Sequence, residues 1–429
     1  MNNYESYKEI DIPWLGEIPS HWEIKRANIV FEERVEKVSD KDYEPLSVTK
    51  NGIFKQLANV AKTNNGDNRK KVLKNDFVIN SRSDRKGSSG LSQYDGSVSL
   101  INIVLKIRND NFKFIHYLLK SIPYQEEFYR NGKGIVADLW STNFQSMSSI
   151  FLPIPPISEQ IQIANYLDWK INEIDRLILI EKKQIKELNH HKKLLISYEY
   201  SKQNKKRRIK TLLAEQLLYG INETGKENGN IRFVRITDID TLGNLKNENI
   251  LYLNKCDKKF LLIEDDILFA RSGATVGKTY LQKKETSDMA FAGYLIRARI
   301  NKNLINPKYV YYYFQSQEYE IWKESIFIQS TIQNISAERF ANLEIPFADK
   351  LEQNIIIKRV KNINAKTEKI LNLLNEKISN LQALKQSLIA EVVTGKIDVR
   401  NITIPQYEKV ETIFETDNID EMEVQDYGD

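Results

Sequence analysis

Apolar residues recur in a 3-4 alternation along one stretch of the chain, at Ile171, Ile174, Ile178, Ile185, Leu188 and Leu195, with charged residues between them. A seam this narrow, sustained over several turns, predicts a coiled-coil helix whose stripe another helix covers. The pattern returns 193 positions later as Asn364, Thr367, Leu371, Ile378, Leu381 and Leu388, polar at first and apolar thereafter. Lys192 falls on Lys385 at the same offset, each at a seam position. Ahead of both runs stands one phrase, "PIPPISEQIQIANYL" from Pro153 and "PFADKLEQNIIIKRV" from Pro346. Proline stops the preceding segment, and Ser158 or Asp349 is placed to cap a new helix. The spacing predicts helices over about 158–200 and 350–393, the first roughly 65 Å long at 1.5 Å per residue. Two matching seams in one chain most simply cover each other.

The blocks before the helices echo as well. "NDFVINSRS" at Asn75 resembles "DDILFARS" at Asp265, each a strand-like run delivering an arginine and a serine into a loop. "SLINIVLKI" at Ser99 pairs with "FAGYLIRARI" at Phe291 as a second apolar strand, and "FKFIHYLLKS" with "PKYVYYYFQS" as an amphipathic helix. The expected fold class is α/β: two mixed α/β domains, joined by two long antiparallel coiled-coil helices in a pseudo-two-fold internal repeat. The expected boundaries are a first globule over 1–155, a helix within 156–203, a second globule over 204–347, a helix within 348–400 and an acidic, disordered tail over 401–429. The basic stretch "SKQNKKRRIK" from Ser201 reads as a solvated linker rather than a DNA-contacting patch.

Composition narrows the class. The chain has 429 residues, 41% hydrophobic and 10% aromatic, which suits two or three folded domains. No apolar run approaches the roughly 18 residues of a membrane span, and the polar start "MNNYESYKEIDIPW" is unlike a signal peptide. Cys256 is the only cysteine, which rules out a disulfide framework. These features predict a cytoplasmic protein, and the abundance of Lys, Asn and Ile points to an AT-rich bacterial genome. The net charge of +5 hides a stronger asymmetry: nine acids and one lysine follow Asn401, leaving +13 on the first 400 residues. A basic body suits a polyanionic partner.

Catalytic motifs fail on their spacing. "RSGATVGKTYL" from Arg271 ends like a phosphate-binding loop, but Ser272 stands where the first glycine belongs, and a strand-like "TYLQ" comes next instead of a helix. It reads better as a glycine-rich turn presenting Arg271 and Lys278 to a phosphate backbone. "INPKYVYYY" faintly resembles the Asn-Pro-Pro-aromatic grip of amino-methyltransferases, but Lys308 replaces the second proline and no glycine-rich cofactor loop precedes it, so Pro307 reads as the start of a core helix. His21, His116, His190 and His191 show no metal-ligand spacing. Neither a cofactor nor a metal is expected, and no catalysis of the chain's own.

The Glu-Gln helix start, the duplicated layout, the opening "IPWLGEIPSHWEIKRA" and the ending "LIAEVVTGKIDVR" together resemble the specificity subunit of type I restriction-modification systems, from about Ile12 to Arg400. The resemblance implies that each globule is a target recognition domain reading one half of a split, asymmetric DNA site. It implies that the helices act as an antiparallel spacer on which two methyltransferase subunits dock, joined in the full complex by restriction and translocase subunits. Methyl transfer to adenine, ATP use and cleavage would belong to those partners. The loop residues expected at double-stranded DNA are Arg82, Arg85, Lys86 and Ser88 in the first globule and Arg271, Ser272 and Lys278 in the second. Lys133 in "NGKGI" and Gln329 in "IQSTIQN" join them. The rival from another class is a coiled-coil scaffold whose globules bind protein. An autonomous methyltransferase, the third possibility, would bind S-adenosylmethionine alone.

Overall fold

The structure, a computed structural model, describes residues 3–56, 66–134, 140–240, 243–273, 276–284, 287–328 and 334–410. The chain divides into two compact units, one of Met1–Glu181 with Glu376–Asp429, the other of Lys182–Asn375. The elements that place the loops of the first unit are β1 (Glu23–Arg26), β2 (Phe31–Glu33), β3 (Phe77–Asn80), β4 (Ser89–Leu91), β5 (Asn102–Ile107), α1 (Phe112–Lys120), α2 (Ile122–Arg130), β6 (Phe151–Ile154) and the start of α3 (Ile157–Ser201). Those of the second are β7 (Lys206–Arg208), β8 (Leu218–Tyr219), β9 (Ile267–Ala270), β10 (Thr279–Leu281), β11 (Leu295–Ala298), α4 (Pro307–Tyr313), α5 (Gln317–Ile328), β12 (Glu344–Pro346) and the start of α6 (Lys350–Val393).

Each unit is built on an antiparallel four-stranded sheet of the same order, β4-β3-β5-β2 in one and β10-β9-β11-β8 in the other. The central strands are buried on both faces, and their two-residue period splits them between two cores. Phe77 and Ile79 pack with α1 and α2 through Phe114, Leu118 and Phe128, while Val78 joins Val72, Val98 and Val104 on the other side. In the second unit Ile267 and Phe269 meet Tyr309 and Val310 of α4, and Leu268 and Ala270 meet Leu295 and Phe291.

The hairpins that open these sheets match residue for residue at an offset of 190. Asn75 and Asp265 both adopt a left-handed backbone, with φ of 72° and 75°. The buried carboxylates of Asp76 and Asp266 then accept from the amides of Leu73 and Ile263 and pair with Arg34 and Arg299. At this register Arg82 aligns with Ser272 and Arg271 with Ser81. Each hairpin does carry an arginine and a serine, but in swapped positions.

The Glu-Gln phrase has a structural reason. Gln160 accepts from the amide of Asn111 at 2.8 Å and donates to the Pro155 carbonyl at 3.0 Å. Gln353 does the same with Asn306 at 2.8 Å and Ala348 at 2.8 Å. Asn111 and Asn306 are themselves the N-caps of α1 and α4, so each glutamine latches a globule helix to the root of a long helix. Glu159 is buried and accepts from Tyr4, Trp22 and His21, which come from the N-terminal segment. Asp349 caps α6 through the Glu352 amide. Ser158 does not cap α3: the helix begins one residue earlier, and its first amides turn to the carbonyl of Pro156.

Within each unit the long helices run antiparallel. In the first, Asp175 pairs with Lys385 at 2.7 Å and Glu181 with Lys377. In the second, Glu199 pairs with Arg359 at 3.0 Å, and Glu368 lies in the field of Lys192. The Asp175–Lys385 couple and the Glu368–Lys192 couple are the same contact written twice, 193 positions apart in both members. Ile171, Ile174, Leu371 and Leu388 are buried, and Ile178 and Leu381 pack against the first core. Ile185, Leu188 and Ile378 are half-buried. Thr367 is buried despite its polarity, and Asn364 donates to Gln315.

The seam ends differently from expectation. Leu195 is 52% exposed and Ile196 is fully buried instead, followed by Tyr200. From Ile185 the stripe reaches Ile196 in eleven residues, close to three turns of an unstrained helix, so the heptad spacing gives way where α3 docks on its globule. The helix α6 ends in a Schellman motif, with Lys396 N–H on the Glu391 carbonyl and Gly395 N–H on Val392, and Gly395 supplies the required φ of +77°. The basic stretch after α3 is not a solvated linker: Lys206–Arg208 pairs with Glu344–Pro346 as Glu23–Arg26 pairs with Phe151–Ile154. Residues 401–410 also pack. Ile402 and Ile404 join the first core, and Asn172 holds Glu408 and Val410. The acidic positions 411–429 lie outside the described residues. Among the described residues, no helix is long and apolar enough to cross a membrane.

Candidate nucleic-acid interface

In the first unit the chain leaves β3 through Ser81 and Arg82 and returns to β4 through Gly87, whose φ is +81°. The segment opposite lies alongside: Ser81 accepts from Thr142 N–H, and Ser83 donates to the Trp140 carbonyl. Bridges join Arg82 to Ser141 and Ser141 to Lys133, so these loops form one small backbone platform. The structure therefore brings together Arg82, Arg85, Lys86 and Lys133, which are scattered in sequence. Arg82 leans on Asp84 and Lys86 on Glu126, each cation held by a carboxylate without being buried by it. Trp140, 40% exposed, stands on the same platform. Sequence reasoning missed it because the segment around it has no periodicity.

Ser88 departs from its expected role. It is only 5% exposed, and its backbone closes the hairpin, accepting from Asn80 N–H while donating to Arg85. A side chain sealed beneath the turn supports the loop rather than meeting a ligand.

In the second unit Arg271 occupies the equivalent exit from β9. Its carbonyl accepts from Ile335, as that of Ser81 does from Thr142, and Ser272 bridges to Asn334. The Arg271 guanidinium lies 4.8 Å from the ring centre of Tyr219, which is 39% exposed, and its amide donates to the carbonyl of Tyr294, 66% exposed. An arginine stacked on an exposed aromatic is pre-oriented for planar recognition of phosphate or base edges. Lys278 is placed elsewhere. It donates to the Ile239 carbonyl and lines a cleft of about 760 Å³ with Lys192, Tyr311 and Lys323. Burial first, and Lys246 second, hold its pKa below the usual lysine range. Gln329 lies outside the described residues.

The loop after Arg271 leads into the strand β10, not into a helix N-terminus. Pro307 opens α4 behind its Asn306 cap, with Tyr309, Val310, Tyr311 and Tyr313 buried. His190 and His191 are exposed, and among the described residues no group of His, Cys, Asp and Glu is arranged to hold a metal ion.

Two related sheet-and-helix modules, each rooted on long antiparallel helices and each carrying cationic and aromatic loops at one strand exit, define a recognition protein of duplicated design. The model of the type I restriction modification DNA specificity domain matches residues 19–190 and 221–380. The chain belongs to that family. It is 21% identical over 445 residues to a protein of Methanocaldococcus jannaschii described as the type I restriction enzyme MjaX specificity subunit, covering 92% of this chain and 97% of the relative. Among solved structures, a chain from a study of complex assembly and conformational transition of the type I R-M system superposes with a TM-score of 0.59 at 14% identity, covering 89% of this chain and 99% of that one. The HsdS subunit of Thermoanaerobacter tengcongensis is 16% identical with a TM-score of 0.39, covering 89% and 98%. The fold class read from the sequence agrees with this family, and nothing favours the scaffold alternative.

Proposed function

We propose that the chain reads a bipartite, asymmetric DNA site, one half with each unit, and presents that site to methyltransferase and restriction subunits without catalysis of its own. The recognition domains would span 1–155 and 204–347, with spacer helices within 156–203 and 348–400. One observation carries this reading. The two strand exits share a backbone frame, yet Arg82 and Trp140 occupy one while Arg271, Tyr219 and Tyr294 occupy the other. Equal frames with unequal side chains suit two half-sites of different sequence, since backbone-level contacts position a reader and side chains at base edges choose.

Arg82, Arg85, Lys86, Lys133, Arg271 and Ser272 are the proposed contacts, with Lys278 a contact only along the adjoining cleft. The methyltransferase partners would dock on the long helices, where Leu177, Leu179, Ile180, Ile370, Leu373 and Leu384 are exposed apolar residues off the seam. The test is duplex binding by the chain copurified with its methyltransferase, as a function of salt. Arg82→Ala and Arg271→Ala should each weaken binding and flatten the salt slope by about one ion. Affinity and slope equal to the parent in both variants would remove these loops from the interface.

A further inference from the structure

Both loops turn on a left-handed glycine, Gly87 at φ +81° and Gly277 at +78°, placed at equivalent positions of the two hairpins. Glycine is conformationally permissive, so a loop built on it needs an external restraint to keep one geometry. Each unit supplies one at the same atom. In the first, Lys120 from the end of α1 donates to the Gly87 carbonyl at 3.0 Å, and also to Ser89 at 3.2 Å and Lys50 at 2.8 Å. In the second, the fully buried Tyr319 of α5 donates its hydroxyl to the Gly277 carbonyl at 2.8 Å. Further packing closes both turns: a Cβ on Gly87 would meet Gln125 Oε1 at 2.9 Å, and one on Gly277 would run into the side chain of Lys323. In the first unit Tyr129 adds hydrogen bonds to Asn80 at 3.2 Å and Arg85 at 3.4 Å.

We infer that Lys120 and Tyr319 are paired positioning residues, each fixing the turn of its own unit's DNA-reading loop by holding the carbonyl of the left-handed glycine. The inference rests on the proposal that these loops face DNA. The two devices differ in chemistry. A charged ammonium ties three carbonyls from two segments together, and charge-assisted bonds of this kind are the stronger sort. A phenol makes a single neutral bond from inside the core. Burial, reinforced by Lys385, also pushes the Lys120 pKa down to about 8, so its ammonium is held in place against a desolvation cost. A loop ordered in advance loses less freedom on binding and rejects the wrong base more sharply.

The experiment uses the full chain in complex with its methyltransferase. The probe is a duplex carrying the sequence obtained by mapping methylated adenines in cells with and without this chain. Two further duplex series carry substitutions in one half-site each. Lys120→Met should lower discrimination at one half-site by about tenfold, the scale of one specific base contact, and leave the other half-site as in the parent. Tyr319→Phe should do the reverse. Amide exchange at Ser88 and Ser89 in the Lys120→Met complex should accelerate, while amides of the β3 core keep their protection. This second readout keeps the test decisive if Tyr319→Phe folds poorly. Equal weakening at both half-sites, or unchanged discrimination with unchanged exchange, overturns the inference. Arg82→Ala and Arg271→Ala run alongside as controls. If they weaken binding while the Lys120 and Tyr319 variants discriminate normally, only the positioning role falls. If the arginine variants bind like the parent, the loops do not face DNA and both ideas fall together.

Discussion

Replacing Gln160 or Gln353 with methionine keeps the volume and apolar stem of the side chain and removes only its hydrogen-bonding head. Both residues are buried, at 2% and 1% exposure. In Gln160→Met the Asn111 N–H and the Pro155 carbonyl lose their partner, while Asp110, half-buried, turns to water. Each buried polar group left unsatisfied costs about 1–3 kcal/mol. Methionine recovers part of this because its own burial carries no polar desolvation, leaving a net loss of about 2–3 kcal/mol. At about 2–4 °C per kcal/mol for domains of this size, the first unit should melt roughly 4–12 °C lower. Gln353→Met strands Asn306 N–H and the Ala348 carbonyl, and should weaken the second unit by a similar amount. Gln160→Glu is the sharper variant. It still accepts from Asn111 but sets a carboxylate against the Pro155 carbonyl and Asp110, and should be worse than methionine. Denaturant-dependent hydrogen exchange reads the units separately, with α1 amides reporting one and α4 amides the other. A loss under about 0.5 kcal/mol, within the range of neutral surface changes, would refute the latch, as would equal loss in α1 and α4 from a single variant.

His116 is half-buried as a residue, but its Nδ1 is sealed from solvent and has no hydrogen-bond partner among the described residues. Burial first, and Lys120 second, push its pKa down from 6.5 to about 4. Because the folded value lies below the unfolded one, the unfolded chain takes up the proton first, and stability is lost as pH falls from about 6.5 to about 4. The first unit should therefore lose up to about 3 kcal/mol across that window. His116→Leu should flatten this part of an acid titration followed by exchange in α1, and an unchanged slope would exclude the imidazole as its source. Gly395→Ala combines a positive φ with a Cβ directed at Pro19 and Trp22, and should destabilise the first unit by at least about 1–2 kcal/mol. A thermal melt within a degree of the parent would show that the turn relaxes freely.

Much of this architecture was legible because repetition makes weak signals strong. The 3-4 period marks the seam residues Ile171 and Ile174, the 193-residue offset carries the seam to Leu388, and matching apolar runs mark the strands at Phe77 and Ile267. What stayed hidden had a physical cause in each case. Lys206–Arg208 forms a strand though all three residues are exposed. An edge strand held by main-chain pairing needs no apolar alternation, so charge composition disguised it as a linker. A heptad extended along the seam points to Leu195, but a helix that docks on its own globule returns to its natural period, and Ile196 takes the buried position. Ser88 has the composition of a contact residue, and only its place beneath Gly87 removes it. Arg82 and Arg271 look equivalent as letters. The register of Asp76 against Asp266 separates them by one position.

That one-position shift lies at the boundary between the buried frame and the loop side chains proposed to contact DNA. The residues that hold each unit together recur as near-identical devices: an Asp under the hairpin, an Asn cap latched by a Gln, a left-handed glycine whose carbonyl is held from below. Each of them satisfies buried backbone groups, where a lost hydrogen bond is expensive, so their chemistry is tightly constrained. Among the described residues, the side chains above the platform make none of these bonds. Arg82 and Arg271 make a surface ion pair and a ring contact, and Trp140 and Tyr294 are tied in through their main-chain carbonyls, bonds that any residue could make. Exchanging them leaves the buried network untouched, and surface substitutions away from such networks shift stability by only about 0.5 kcal/mol. The frame is thus thermodynamically insulated from the loop side chains proposed to contact DNA. On the proposed reading, substitutions among these loop side chains would change what a unit selects while the buried frame of that unit stays intact.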